Sequence, residues 1–330
     1  MNHPTLLLTG SDVERFLDVR SCIDAVERAF LQRGEGRTSP AGVLGVHVEG
    51  GGFHAKAAAL ELSRSYFVLK VNANFPENPS KRGLPTIQGV LVLFDAVNGV
   101  PLAVMDSIAI TTLRTAAASA VAAKYLARTD AHTATFIGCG AQASAHIAAM
   151  SAVRDLLWVC VFDQDAEKAR AFADEMQKRY EFDVVVADDL YAATRKSDII
   201  ATLTSSRKPI LRTDSVSPGA FIAAVGADSE HKQELDVDLM RAGVIVVDDM
   251  EQCATIGDLH HALNAGVVTR TDVRATLDQV VARTRPGRKT PEEIIIFDST
   301  GVAIEDVAAA SIVYERALAE HAGLEFRFGG

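Results

Sequence analysis

The chain has 330 residues, long enough for two domains that each bury a core. Hydrophobic residues make up 48% of it, which excludes a disordered polymer. With 33 basic against 43 acidic residues, the net charge of −10 speaks against nucleic acid as a partner.

The first element is predicted in "SDVERFLDVRSCIDAVERAFLQRGEGR". Val13, Phe16, Leu17, Ile23, Val26 and Phe30 recur at helical intervals. Ser11 stands as the N-cap, with Glu14 three residues on at capping-box spacing; Gly34 and Gly36 stop the helix. Next, "GVLGVHV" and "FHAKAAAL" read as strands around the turn signal "EGGG", and "SYFVLKVN" as a third strand. Asn98-Gly99 between two apolar runs predicts a hairpin. Antiparallel sheet with a helix is therefore expected over roughly the first 110 residues. "TTLRTAAASAVAAKYLAR" follows as an alanine-rich helix.

From residue 133 the texture changes. "TATFIGCG", "LLWVCVFD", "DVVVAD", "IIATLTS", "GAFIAAVGA" and "VIVVDD" are short apolar runs, separated by helical patterns. Such alternation predicts a parallel, doubly wound sheet. "AIEDVAAASIVYERALAEHAG" closes the chain as a helix expected to pack back on the first domain.

Cys22, Cys139, Cys160 and Cys253 lie far apart, with no C-x-x-C, so neither a zinc site nor a disulfide framework is expected. A reducing cytoplasm fits that usage. The start "MNHPTLLLTGSDVERF" lacks a basic segment and has only three leucines in its apolar run, so no signal peptide is expected. Without a run of about 18 apolar residues, no membrane span is expected either.

The stretch "ATFIGCGAQASAH" carries the clearest chemistry. A strand ends in Gly138-x-Gly140-x-x-Ala143 and runs into a helix. Gly138 permits the tight turn, Gly140 lets a pyrophosphate approach the backbone, and Ala143 allows close helix–strand packing. The helix start, with Ala141 and Gln142, offers unpaired N–H groups to phosphates. The next strand ends in Asp163, where an acid holds ribose hydroxyls and repels a 2′-phosphate, which favours NAD over NADP. The fold class expected is α/β: a Rossmann-type doubly wound parallel sheet plus an α+β domain for substrate binding and dimerisation.

Other charged residues leave two readings open. Lys70, amid Phe67, Val68, Leu69 and Val71, is either a solvent-facing strand lysine or a buried group with a partner; Lys56 poses the same question. Arg114, beside small residues, is either a surface arginine or a fork for a carboxylate or phosphate. Asp228 follows an apolar strand at the edge where open α/β sheets bind ligands, or is a loop acid or helix cap. His47, His54, His260 and His261 lack metal-ligand spacing, and no metal is expected.

Five stretches together resemble the ornithine cyclodeaminase/μ-crystallin family from end to end: "LKVNANFPEN", "GVLVLFDAVNGVPLAVMDSIAITTLRTAAASAVAAKYLAR", "IGCGAQA", "AVGADSEHKQELD" and "IIFDSTGVAIEDVAAA". The resemblance implies a homodimer, with residues 1–118 and 304–330 as substrate-binding and dimerisation domain and 119–303 as NAD-binding domain. It places the family's pocket lysine on Lys70, its motif threonine on Thr86 and its carboxylate-binding arginine on Arg114. The cyclodeaminase base falls on Asp228, with Lys232 in the same motif, and Thr115 and Ser299 fall near the dinucleotide. The activity implied is a deaminating cyclisation of an L-diamino acid, ornithine to proline in type, with hydride passed to NAD and returned. Cyclic ketimine reduction with NAD(P)H, membership of the ectoine-degradation group, and a non-catalytic μ-crystallin-like ligand-binding role stand as alternatives. One departure bears on the substrate. Ornithine cyclodeaminases carry a second arginine after a Ser-Pro pair, where this chain has Ala41 in "SPAGV". Lys56 is the residue expected to replace that charge.

Overall fold

The structure is a computed structural model that describes residues 4–39 and 41–328. Pro40 in the stretch around Ala41, and the first three residues of the N-terminal segment, lie outside the described residues. The chain forms two compact units. One runs to Thr115 and resumes at Val302, and the other spans Ala116–Gly301.

The first unit is built on a seven-stranded sheet. Its spatial order is Leu324–Phe326, Thr5–Leu8, Pro101–Asp106, Ile87–Asp95, Ser65–Asn74, Gly51–Glu61, Gly42–Val48. Thr5–Leu8 pairs parallel with Pro101–Asp106, and the other pairs are antiparallel. The Asn98-Gly99 hairpin is present. Gly99 has φ +75°, and Asn98 Oδ1 accepts the Val100 N–H at 3.0 Å. Helix Ala303–Ala319 packs on strands Gly51–Glu61 and Ser65–Asn74 and on helix Val19–Gly34. Strand alternation then sets the faces: Tyr66, Val68 and Lys70 are buried while Leu69 is exposed.

The predicted N-terminal helix is two helices. Gly10–Phe16 is capped by Thr9, whose side chain and the Asp12 carboxylate form the capping box, not Ser11 and Glu14. Val19–Gly34 is capped by Asp18, which accepts the Ser21 N–H at 2.9 Å. The Asp18 carboxylate offers the backbone a second helix start, and Leu17 is extended just before it.

The second unit holds the parallel, doubly wound sheet. Its eight strands run in the order Ala275–Thr276, Val244–Val247, Ile295–Asp298, Phe221–Ala224, Ile199–Thr202, Thr133–Ile137, Trp158–Phe162, Asp183–Val186. Every pairing among them is parallel. Ile199–Thr202, Phe221–Ala224 and Ile295–Asp298 are buried on both faces, as uninterrupted apolar runs in a covered parallel sheet must be. After Asp183–Val186 the chain crosses back to the other side of Thr133–Ile137. The strand order therefore reverses at the strand that leads into Gly138, where open α/β sheets leave a ligand crevice. Among the described residues no helix is long and apolar enough to cross a membrane.

Candidate active site

The glycine elbow is constrained at one position and open at the other. Gly138 has φ +101°, and a Cβ there would lie 2.8 Å from the Leu203 carbonyl oxygen, so a side chain is excluded. A Cβ on Gly140 would meet nothing within 4 Å, so the space above it is left for an approaching group. Helix Ala143–Val153 begins at once, and Gln142 at its N-cap makes no side-chain capping bond. The Gln142 Oε1 is buried without a hydrogen-bond partner among the described residues. The uncapped N–H groups of the helix start and the open glycine fit the pyrophosphate of a dinucleotide. Ala143 is fully buried, as close helix–strand packing requires.

Asp163 directly follows strand Trp158–Phe162. Its Oδ2 accepts from the Cys139 N–H and from Lys168 Nζ, both at 2.9 Å, and its Oδ1 accepts the Asp165 N–H at 3.1 Å. Burial pushes its pKa up, but Lys168 and the two N–H groups outweigh that and hold it below its ordinary value. An anionic acid is thereby tied to the elbow itself through Cys139.

The first unit gathers a second group of charges. Lys70 points to the covered side of the sheet and is 3% exposed; Arg114, on helix Ser107–Leu126, is 5% exposed. The solvent-facing reading of both is therefore excluded. Lys70 Nζ donates to Asp306 Oδ1 at 2.7 Å and to Thr111 Oγ1 at 3.3 Å. Arg114 Nε donates to the same Asp306 Oδ1 at 3.0 Å, and its Nη1 to Glu305 Oε2 at 2.6 Å. Glu305 and Asp306 are fully buried on helix Ala303–Ala319. Lys56, half-buried, is the register partner of Lys70 on the adjacent strand and so faces the same side.

The electrostatics follow from this crowding. Burial first, then the Arg114 cation, lower the Lys70 pKa to about 7; Asp306 opposes them and Lys56 adds to them. Burial also pushes Asp306 up, but Lys70 and Arg114 prevail and hold it below its usual value.

The remaining expected residues sit as follows. Thr86 is half-buried just before strand Ile87–Asp95, and its carbonyl accepts the Phe75 N–H at 2.8 Å. Thr115 is buried and donates to the Thr111 carbonyl at 2.6 Å. Asp228, in the second unit, accepts from Lys232 Nζ at 2.6 Å and is half exposed. Ser299 is buried, its hydroxyl 3.4 Å from Asp248 Oδ2, which also accepts the Thr300 and Gly301 N–H groups. His260 and His261 serve the backbone: His261 Nε2 lies 2.8 Å from the Lys232 carbonyl and His260 Nδ1 3.2 Å from that of Ala254. No metal-holding group of three His, Cys, Asp or Glu occurs among the described residues.

Glu305, Asp306, Asp248 and Lys168 were not anticipated. The signal for the first two was present, since "GVAIEDVAAASIV" sets adjacent acids in an otherwise mostly apolar stretch, and buried acids need partners. Asp248 ends the apolar run "VIVVDD" in the same way.

Comparison with known proteins identifies the family and the fold. The family model "Ornithine cyclodeaminase/mu-crystallin family" matches residues 3–321. An archaeal alanine dehydrogenase dimer with bound NAD superposes with a TM-score of 0.95 at 39% identity, covering 99% of this chain and 100% of that one. The Δ1-pyrroline-2-carboxylate reductase of Thermococcus litoralis, in complex with NADH and L-proline, gives 0.92 at 34% identity over 98% and 100%. A lysine cyclodeaminase that recognises L-lysine, L-ornithine and L-2,4-diaminobutyric acid gives 0.85 at 29% identity over 99% and 96%.

Proposed function

Since the chain belongs to the ornithine cyclodeaminase/mu-crystallin family, we propose that it is an NAD(H)-dependent enzyme that reduces a small 2-imino acid, such as a cyclic ketimine carboxylate, to the 2-amino acid. The observation that carries this reading is the buried charge set of the first unit. Lys70 and Arg114 are buried together on one oxygen of Asp306, and Lys56 faces the same side of the sheet, so three cations are gathered where a substrate carboxylate would be held. Two neighbours of higher identity than the cyclodeaminase, an alanine dehydrogenase and a pyrroline-2-carboxylate reductase, carry out net redox chemistry. Ala41, in place of the second carboxylate-binding arginine of ornithine cyclodeaminases, points the same way.

In this reading NADH supplies the hydride for the C=N carbon. Arg114 orients the substrate carboxylate by its planar fork, and Lys70 and Lys56 complete the positive clamp. Lys70, poised to hold or release a proton near neutrality, balances the reaction by providing the proton that the nitrogen gains. The Gly138–Ala143 elbow holds pyrophosphate, and Asp163 accepts ribose hydroxyls and repels a 2′-phosphate, so NAD is preferred to NADP.

Cyclodeamination of an L-diamino acid is the second reading. Asp228, which matches the base of the cyclodeaminases, is retained with Lys232 beside it. Absorbance at 340 nm separates the two. Pyrroline- and piperideine-2-carboxylate are offered with NADH, and ornithine, lysine and 2,4-diaminobutyrate with NAD⁺, with ammonia assayed in parallel. One NADH consumed per imine supports the reductase. Ammonia release from a diamino acid with catalytic NAD⁺ and no net change at 340 nm supports the cyclodeaminase. Neither response, with NADH still bound, favours a ligand-binding protein.

The proposed assembly is a homodimer. Leu44, Val46, Phe53, Leu69 and Val90 are all exposed on the sheet face opposite Lys70, an apolar surface suited to a second copy. Sedimentation of a Leu44→Lys variant as monomer against a wild-type dimer is the expected outcome.

A further inference from the structure

Asp306 serves two cations with one oxygen. Oδ1 accepts from Lys70 Nζ at 2.7 Å and from Arg114 Nε at 3.0 Å, whereas Oδ2 is buried and accepts no hydrogen bond among the described residues. A carboxylate arranged this way is a poor device for stability. Its desolvation is only half compensated, and apolar side chains of similar volume would fill the space as well. What the arrangement does accomplish is geometric. Lys70 comes from strand Ser65–Asn74, Arg114 from helix Ser107–Leu126 and Asp306 from helix Ala303–Ala319. One atom of Asp306 therefore fixes the spacing between the ammonium and the guanidinium.

We propose that Asp306 is a positioning residue for the imine reduction, holding Lys70 and Arg114 as a single receptor for the substrate carboxylate. The assignment rests on the reductase reading above. Its second consequence is electrostatic. The charged and titratable groups around Lys70 are Lys56 on the neighbouring strand, Arg114 on the long helix, and Glu305 and Asp306 on the C-terminal helix. Cys22, on helix Val19–Gly34, also neighbours this set; burial, then Glu305, push its thiol up, so it stays neutral. Arg114 and Lys56 press Lys70 to lose its proton, and Asp306 is the anion that resists them. Glu305 is committed elsewhere, to Arg114 Nη1 and to the Val302 N–H at the helix start.

If protonated Lys70 is required, kcat/KM falls as pH rises through its pKa of about 7. Removing the Asp306 charge lowers that pKa further, so the alkaline limb moves to lower pH. With pyrroline-2-carboxylate, Asp306→Asn is expected to lose about 100-fold in kcat/KM, mainly through KM, with NADH affinity within about twofold of wild type. Asp306→Glu restores the charge but displaces the oxygen. The limb is expected to return to its wild-type position while KM stays raised about tenfold. An Asn variant with a wild-type limb and KM overturns the proposal. If the Asn variant is not recovered folded, the Glu variant decides, and a wild-type KM there overturns it equally. A substrate-independent readout separates this failure from that of the function itself. Cyanate carbamylation of Lys70 in the intact protein, followed by mass spectrometry from pH 6 to 9, is expected to set in at lower pH in Asp306→Asn. Should wild type reduce no imine, the reductase reading fails. The carbamylation profiles still decide on Asp306, and coincident profiles exclude its hold on Lys70.

Discussion

Lys56 and Lys70 lie directly opposite each other on adjacent antiparallel strands, on the sheet face that helix Ala303–Ala319 covers. Like charges placed this way repel, and the Asp306 carboxylate, ion-paired with Lys70 and held anionic in part by both lysines, offsets that repulsion. Lys56 lowers the Lys70 pKa, so replacing it should raise that pKa. Lys56→Met is expected to move the alkaline limb of kcat/KM to higher pH, opposite to Asp306→Asn, and to raise KM roughly tenfold by removing one carboxylate partner. A pH-rate series on the two variants side by side checks the opposed signs.

Arg114 grips two carboxylates with two different nitrogens, Nε on Asp306 and Nη1 on Glu305. A lysine offers a point charge and cannot reproduce that fork. Arg114→Lys is therefore expected to lower kcat/KM about 100-fold although the charge is conserved. NADH affinity, read from nicotinamide fluorescence, is expected to remain at the wild-type value.

The two glycines of the elbow should respond differently to alanine. Gly138 combines φ +101° with a Cβ position 2.8 Å from Leu203 O, so Gly138→Ala is expected to lower the melting temperature by several degrees. Gly140 has nothing within 4 Å of its Cβ position, so Gly140→Ala should fold with wild-type stability, within roughly 0.5 kcal/mol. Its NADH affinity is expected to fall at least about tenfold, because the methyl takes the space assigned to pyrophosphate. Calorimetry paired with NADH titration distinguishes the two effects.

Asp298, at the end of strand Ile295–Asp298, is fully buried beside Asp248 and Asp258. Burial, reinforced by Asp248, pushes its pKa up to about 7 against the Leu259 and Asp258 N–H groups that it accepts. Its folded pKa is thus raised above the ordinary carboxylate value of 3.8. The stability it contributes is fully present below that value and is lost as pH rises through about 7. The difference in melting temperature between wild type and Asp298→Asn is expected to shrink by a few degrees, roughly, between pH 4 and 8 and to level above that. Melting curves across that range check the trend.

The legible parts of the sequence were those whose signal is local. Gly138, Gly140 and Ala143 announced the elbow because phosphate binding and close packing each demand a small residue at a fixed spacing. The alternation from residue 133 likewise gave the parallel sheet, and Asn98-Gly99 the hairpin. Helix starts were less legible. Ser11 and Thr9 are both acceptable caps, and only the three-dimensional pairing of Thr9 with Asp12 decided between them. The buried charge set was half legible. Lys70 and Arg114 were singled out with their alternatives unresolved, because their partner, Asp306, stands 236 and 192 residues away in the chain. No local period records a pairing at that distance. The trace it left was an acidic pair inside the buried, mostly apolar first half of helix Ala303–Ala319.

The most direct test of the account is a crystal structure of the protein with NAD⁺ and a cyclic amino acid product such as L-proline. The account predicts the carboxylate within hydrogen-bonding distance of Arg114 and Lys70, with pyrophosphate over Gly140. A carboxylate that touches neither cation, or a dinucleotide bound away from the elbow, would contradict it.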